Sequence, residues 1–382
     1  MLFPLNTQTQ QCAVFELLNN ELLHFLEASI TADIFSQTLF TEFHFENDTL
    51  PSVCWGNEST RSKFSTLWEK LPVDAAGRQQ LFDDVSSAQD ISSYFSDVNK
   101  PLPVLSPDGL YTAFKELTTH LFTRTKDLEG AKLQSSSSIE QHYQAHVASN
   151  GHSHLCFICG TALLSQNRSD LSDDDQWRSD YDHLLCKDKY PVFSVHPGNF
   201  LPTCHICNSK AKGARDLLRC NGPRRAAFYP LPPYQESCGL YVRVSIDDRN
   251  VEELINSGWE SPLSVAIDFN TAPDDLLRKI SVWSEVYQVP ARVEYKISAD
   301  FYEHVSSDLM GPQNFADFKN QLNRRVSQTP IDIRRTEWRF WWQKVYEFMS
   351  NQPDEFLQII WSLVDWKRQQ TNDNDMMATF GV

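Results

Sequence analysis

YDHLLCKDKYPVFSVHPGNFLPTCHICNSKAKG, residues 181 to 213, is the stretch whose reading decides the fold. It holds an adjacent Asp182-His183 pair, an isolated Asn199, and a Cys204-x-x-Cys207 knuckle followed at once by Asn208. Upstream, Cys156-Phe157-Ile158-Cys159 repeats the knuckle spacing. Two such pairs supply four thiolates, the soft tetrahedral donor set that zinc prefers, and leave no coordination position open. A redox dithiol and unmetallated core cysteines are the competing readings. A closed zinc site stabilises a fold and does no chemistry, so function must lie in the residues it staples. His152 and His154, in GHSHLC, read as a solvated lead-in once four thiolates are present, and Cys12, Cys54, Cys186, Cys220 and Cys238 have no paired spacing and read as ordinary core or surface thiols.

Working outward, 382 residues with 41% apolar content can bury a sizeable core and point to two or three domains. Nine cysteines, an odd number over a long chain, do not make a disulfide framework and point to a reducing compartment. The start MLFPLNTQTQQ has no secretory pattern, and no run of about 18 uncharged apolar residues suggests a membrane span. A cytoplasmic protein with no membrane role is the expectation. The net charge of −16 argues against a protein that coats itself with nucleic acid, because non-specific affinity depends on neutralising phosphates. The distribution matters more: from His183 to Arg225 there are eight Lys and Arg against two Asp, a positive island in an acidic chain.

The flanks read as an α+β protein. Phe15, Leu18, Leu22, Phe25 and Leu26, then Phe114, Leu117, Leu121 and Phe122, keep helical spacing, so residues 1–135 are expected to be mainly helical, with LFTEFHFE (39–46) as a strand. The serine run 135–138 marks a capped break before a helix leading into a core region, 136–235. The proline-rich NGPRRAAFYPLPPYQE (221–236) is a linker or an extended wrap. In the C-terminal region, 236–382, LYVRVSI and LSVAIDF alternate as strands do, and helices follow. The stripe of Trp338, Trp341, Trp342, Val345, Phe348 and Met349 reads as a helix-packing face, with partner docking as the lesser alternative. Glycine loops for phosphate and G-x-S-x-G are absent.

Chemistry therefore has to come from the central stretch. His183 is the candidate general base, since an imidazole with pKa near 7 can take a proton from water at cellular pH. Asp182 and His183 point to opposite sides of a regular strand, so a bend or strand end must let them converge. On a helix starting near Cys204, the residues Asn208, Lys212, Arg215 and Arg219 fall on one stripe, and with Lys187, Lys189 and Lys210 they form a candidate nucleic-acid-binding set. A lone Asp-His pair is usually only hydrogen-bonded, and a lone basic face is usually only solvated. His196 and His205 read as structural, with phosphate contact as the alternative, and Asp173, Asp174 and Asp175 as a solvated loop.

Taken jointly, Asp-His, Lys-x-x-Tyr-Pro, Asn-Phe-Leu-Pro and Cys-x-x-Cys-Asn-x-x-x-Lys resemble the HNH endonucleases of the ββα-metal fold in their zinc-stapled version, over roughly residues 152 to 220. In that family the third position is often histidine; here it is Asn208. The resemblance implies phosphodiester hydrolysis, more often of DNA than RNA, with a structural Zn2+ on the four cysteines. It also implies a catalytic Mg2+, or Mn2+, on Asp182 and Asn208, with Asn199 bracing the strands and orienting His183. The layout is similar to HNH subunits of bacterial anti-phage systems of the Septu and retron-associated kinds, which implies a protein partner such as an ATPase. A zinc-stapled binding or interaction module without cleavage is the alternative.

Overall fold

Val14, Phe15, Leu18, Leu22, Phe25 and Leu26 form one stripe of the helix Ala13–Ser29, and all six are buried. The computed structural model describes residues 1–164, 181–220, 222–234, 236–247, 263–309, 312–327, 333–365 and 369. The expected N-terminal helices are present, among them Glu58–Trp68, Ala75–Ser87, Asp108–Thr123 and Ile139–Ser149. Three of these four starts are capped by side chains: Asn57 accepts from the Thr60 amide, Asp74 from Gly77 and Ser138 from Gln141. Each cap satisfies a first-turn N–H that the helix itself leaves without a partner. LFTEFHFE supplies strand β1, Glu42–Phe45, which pairs antiparallel with β2, Asp48–Pro51.

In the centre, β3 (Tyr181–His183) pairs antiparallel with β4 (Phe200–Pro202), placing Asp182 opposite Leu201 and His183 opposite Phe200. A short π-helical segment, Ile206–Lys212, follows, and the Gly213 amide closes it on the Asn208 carbonyl at 2.8 Å. Towards the C-terminus, β5 (Arg243–Ile246) pairs with β6 (Val265–Asp268). The helices Asp274–Tyr287, Val289–Asp308, Phe315–Val326 and Arg339–Ser350 come after it. Gln288, with φ of 53°, separates the first two, and Pro290 sits in the opening turn of the second, where its missing N–H costs nothing.

The proline-rich stretch is a wrap rather than a free linker. The Ala227 amide bonds to the Phe95 carbonyl at 2.9 Å, Arg224 donates to the Tyr94 and Lys100 carbonyls, and Phe228, Tyr229 and Leu231 are buried. The aromatic stripe is a packing face, with Trp341, Trp342, Val345 and Met349 buried.

The three regions read from sequence share one contiguous core running from Met1 to Val364. The reason is size: a hairpin with strands of three residues cannot bury a core of its own. From the N-terminal side, Phe15 stacks on Phe200 with ring centroids 3.7 Å apart, and Phe122 stacks on the same ring. From the C-terminal side, the Trp283 indole donates to the Ile158 carbonyl at 3.0 Å and the Trp341 indole to the Cys159 carbonyl at 2.8 Å. Among the described residues no helix is long and apolar enough to cross a membrane.

Candidate metal centre and Asp-His hairpin

The Sγ atoms of Cys156, Cys159, Cys204 and Cys207 all lie within 4.8 Å of one another, and all four residues are buried. Cys159 and Cys204 are 3.8 Å apart at sulfur. A tetrahedron of sulfurs about 2.3 Å from zinc has edges of about 3.8 Å, so spacing and donor chemistry both fit a structural zinc. The first knuckle turns through Gly160, whose φ is 66° and whose amide reaches the Cys156 carbonyl at 2.8 Å. A Cβ there would lie 2.7 Å from Leu2 Cδ2, so both conformation and space call for glycine.

Donors surround the sulfurs. Thr161 Oγ1 and its amide reach Cys159 Sγ at 3.2 and 3.4 Å, and Arg292 Nη2 reaches Cys207 Sγ at 3.4 Å. Four thiolates on Zn2+ carry a net charge of about −2, which the Arg292 guanidinium partly offsets inside the core. Burial, and then the neighbouring Cys159 and Cys204 sulfurs, push the Cys156 thiol well above its ordinary range, so a bound cation is what would keep it as thiolate. His152 and His154 stand outside this cluster.

Asp182 departs from the expectation of an open Mg2+ ligand. It is 1% exposed; Oδ1 is 2.8 Å from Lys212 Nζ, and Oδ2 accepts from the Tyr287 hydroxyl at 3.3 Å. Lys212 Nζ also donates to the His183 carbonyl at 2.7 Å. The carboxylate thus already faces a cation, the lysine's own, and the pair is sealed from solvent. Burial pushes the Asp182 carboxyl up from its ordinary range, with Lys212 opposing. Mg2+ does not fit this arrangement, because a hard cation needs free oxygen donors and bound water.

His183 looks the other way, as strand alternation dictates. Its ring lies against Phe122 at 4.3 Å and Phe200 at 4.8 Å, and Nε2 is 3.2 Å from the Ser194 carbonyl oxygen. A carbonyl only accepts, so Nε2 carries the proton and Nδ1 the lone pair. Burial, and then Lys187 and Lys212, bring the imidazole down to about 3, far below the value near 7 expected from sequence. The anticipated convergence of Asp182 and His183 is therefore not seen: their side chains have separate partners on opposite faces of β3.

Asn199 is fully buried and holds the strand ends together. Its Nδ2 donates to the Leu185 and Phe193 carbonyls at 3.1 and 2.8 Å, and its Oδ1 accepts from the Leu185 amide at 2.7 Å. Asn208 is half-buried on the π-helical segment, and its amide bonds to the Cys204 carbonyl at 3.0 Å. His196 is structural, with Nε2 2.9 Å from the Gln89 carbonyl and Nδ1 accepting from the Gly198 amide; His205 is exposed. Asp173, Asp174 and Asp175 lie outside the described residues.

The basic stripe expected on one helix does not form. Helical turns end at Lys212, because Gly213 takes a φ of 49°, and Lys212 is buried and so unavailable to nucleic acid. Lys187 lies 5.3 Å over the Phe122 ring, beside the His183 ring, and Lys210 is exposed. Lys189, Arg215 and Arg219 instead line a separate cavity. Tyr287, Phe122, Ser194 and Arg292 complete the site and were not anticipated. The Tyr287 contact with Asp182 spans 105 residues, a distance over which local spacing carries no signal. Comparison with family models, with curated proteins and with solved structures returns no match.

Proposed function

We propose that this chain is a zinc-stapled HNH-type endonuclease that hydrolyses phosphodiester bonds in nucleic acid, with DNA the favoured substrate. The observation that carries the reading is the setting of His183: it ends β3 beside the four-cysteine knuckle, its Nε2 engages the Ser194 carbonyl, and Asn199 ties the strand ends. A neutral imidazole so held presents an oriented lone pair at Nδ1, as a base that deprotonates water must. Substrate phosphates arriving beside Lys187 add negative charge, which raises the depressed imidazole pKa toward the working range. Zinc in this reading is scaffold alone. Asp182 and Asn208 take Mg2+ or Mn2+ only if Lys212 withdraws.

The test is cleavage of plasmid and single-stranded DNA, and of RNA, with Mg2+ or Mn2+, by the wild type and by His183→Ala. Loss of cutting in the variant, with zinc content and folding intact, supports the hydrolase. A second reading is favoured by the sealed Asp182-Lys212 pair: a zinc-stapled nucleic-acid-binding or interaction module without cleavage. Equal nucleic-acid binding by both proteins with no cutting by either selects it. The sequence likeness to anti-phage subunits adds a cytoplasmic defence role and an ATPase partner, which co-purification of the tagged chain from its native host tests.

A further inference from the structure

A cluster of positive charge lines a cavity of about 820 Å³ between the extended segment 101–105, the Lys189-Tyr190 turn, the 215–220 loop and the helix Asp274–Tyr287. That volume lies in the range of small-molecule sites, about 300 to 1,000 Å³. Lys189, Arg215, Arg219 and Arg225 face Asp216 and Glu285 there, leaving two positive charges uncompensated in a chain of net charge −16. The cations differ in their commitments. Arg225 is fixed by Glu285 at 2.6 Å and by the Leu217 and Asp216 carbonyls. Lys189 shares the buried Asp216 at 3.7 Å, and Tyr190 donates to the same carboxylate at 2.7 Å. Among the described residues no hydrogen bond or ion pair holds the Arg219 guanidinium. The facing wall is apolar and aromatic: Leu102, Val104, which is 76% exposed, and Tyr111.

We infer that this cavity binds a nucleotide through its terminal phosphate. A phosphomonoester carries about −1.5 to −2 at pH 7, which matches the uncompensated charge, and guanidinium forks suit its oxygens. The apolar wall receives the sugar and base. Arg219 is the recruiting group, and Arg225, already oriented, is the fixed one. The ligand is either a free nucleoside monophosphate or the phosphorylated end of a strand, and both present the same chemistry to the site. The inference is independent of the hydrolase reading, since neither Asp182 nor His183 lines this cavity.

Cys220 lies in the cavity wall and is the one exposed cysteine among the described residues. Its alkylation by N-ethylmaleimide in the purified full chain, followed by peptide mass mapping, reports occupancy directly. The probes are a nucleoside 5′-monophosphate, the matching nucleoside, inorganic phosphate, and a 5′-phosphorylated and an unphosphorylated oligonucleotide. The expected result is labelling slowed about 10-fold by millimolar nucleoside monophosphate and not by nucleoside, with protection lost in Arg219→Glu and partly kept in Arg219→Lys. Protection by the 5′-phosphorylated oligonucleotide at much lower concentration than the mononucleotide assigns the ligand to a strand end; the reverse assigns it to the free nucleotide. Equal protection by nucleoside and nucleotide, by inorganic phosphate and nucleotide, or by none of the probes overturns the inference. A folding defect in the glutamate variant is read from its melting curve, and the lysine variant then carries the test. Protection that persists in His183→Ala while cleavage disappears supports both readings separately, and cleavage without protection in the wild type sinks this one alone.

Discussion

Lys212 Nζ stands 2.8 Å from Asp182 Oδ1, with both side chains 2% exposed, and the same ammonium donates to the carbonyl of His183. Taking one member of a buried pair away leaves the other charge without a partner, at a cost of about 3 to 5 kcal/mol, whereas replacing both is far milder. Lys212→Met and Asp182→Asn should each lower the unfolding free energy, read from urea denaturation, by an amount in that range, and the double variant should recover most of it. Singles that differ from wild type by less than about 1 kcal/mol would show the pair to be open to water. If Asp182 is a latent cation ligand, Lys212→Met should also be stabilised by added Mg2+ where the wild type is not.

Metal removal should be visible in tryptophan fluorescence. The indoles of Trp283 and Trp341 donate to the backbone of the first knuckle, at Ile158 and Cys159, so collapse of the four-sulfur cluster exposes both rings. We expect one zinc per chain by elemental analysis. Thiol-directed release of the metal should bring a red shift in emission and a large drop in melting temperature, since structural zinc contributes folding energy outright. A chain that keeps its emission maximum and melting point with all four cysteines metal-free would remove zinc from the account.

Asn199 separates geometry from volume. Asn199→Ala deletes three buried hydrogen bonds and strands the Leu185 amide and two carbonyls, costing about 2 to 4 kcal/mol. Asn199→Asp keeps the volume but turns an oxygen toward the Leu185 and Phe193 carbonyls, so it should be at least as destabilising as alanine. Denaturation of the two variants side by side decides it, and an aspartate variant as stable as wild type contradicts the assigned amide orientation.

Acid should weaken the fold from an unusually high pH. Burial holds His146 and His183 down to about 3 and His196 to about 4, while in the unfolded chain each takes a proton near 6.5. The unfolded state thus binds the extra protons. The contribution is whole above pH 6.5 and is lost as pH falls from there toward the folded values, by up to about 1.4 kcal/mol per unit for each ring. Urea midpoints at pH 7.5 and 5.5 should differ clearly, and equal midpoints would mean that these rings are protonated in the folded protein.

Local pattern was legible where a side chain's fate depends on near neighbours. The helical stripe of Ala13–Ser29, the serine cap at 138, the strands Arg243–Ile246 and Val265–Asp268 and the buried Trp341 face all follow from apolar periodicity or capping chemistry within a few residues. Legibility stopped at Lys212. Counting by i+4 put it on an exposed basic track, but the turns from Ile206 are π-wide and stop at Gly213, which rotates the lysine inward to Asp182.

By itself the sequence determined which residue types are close enough along the chain to act together: two knuckles of sulfur, an adjacent acid and imidazole, and an island of positive charge. Only tertiary structure decided which of them meet. Asp182 faces Lys212 and Tyr287, His183 faces Ser194 and Phe122, and Lys189 joins Arg219 around a separate cavity. The physical reason is that a hairpin this small takes its surroundings from helices far away in sequence. The electrostatic character of its charged groups is set by those neighbours and by burial.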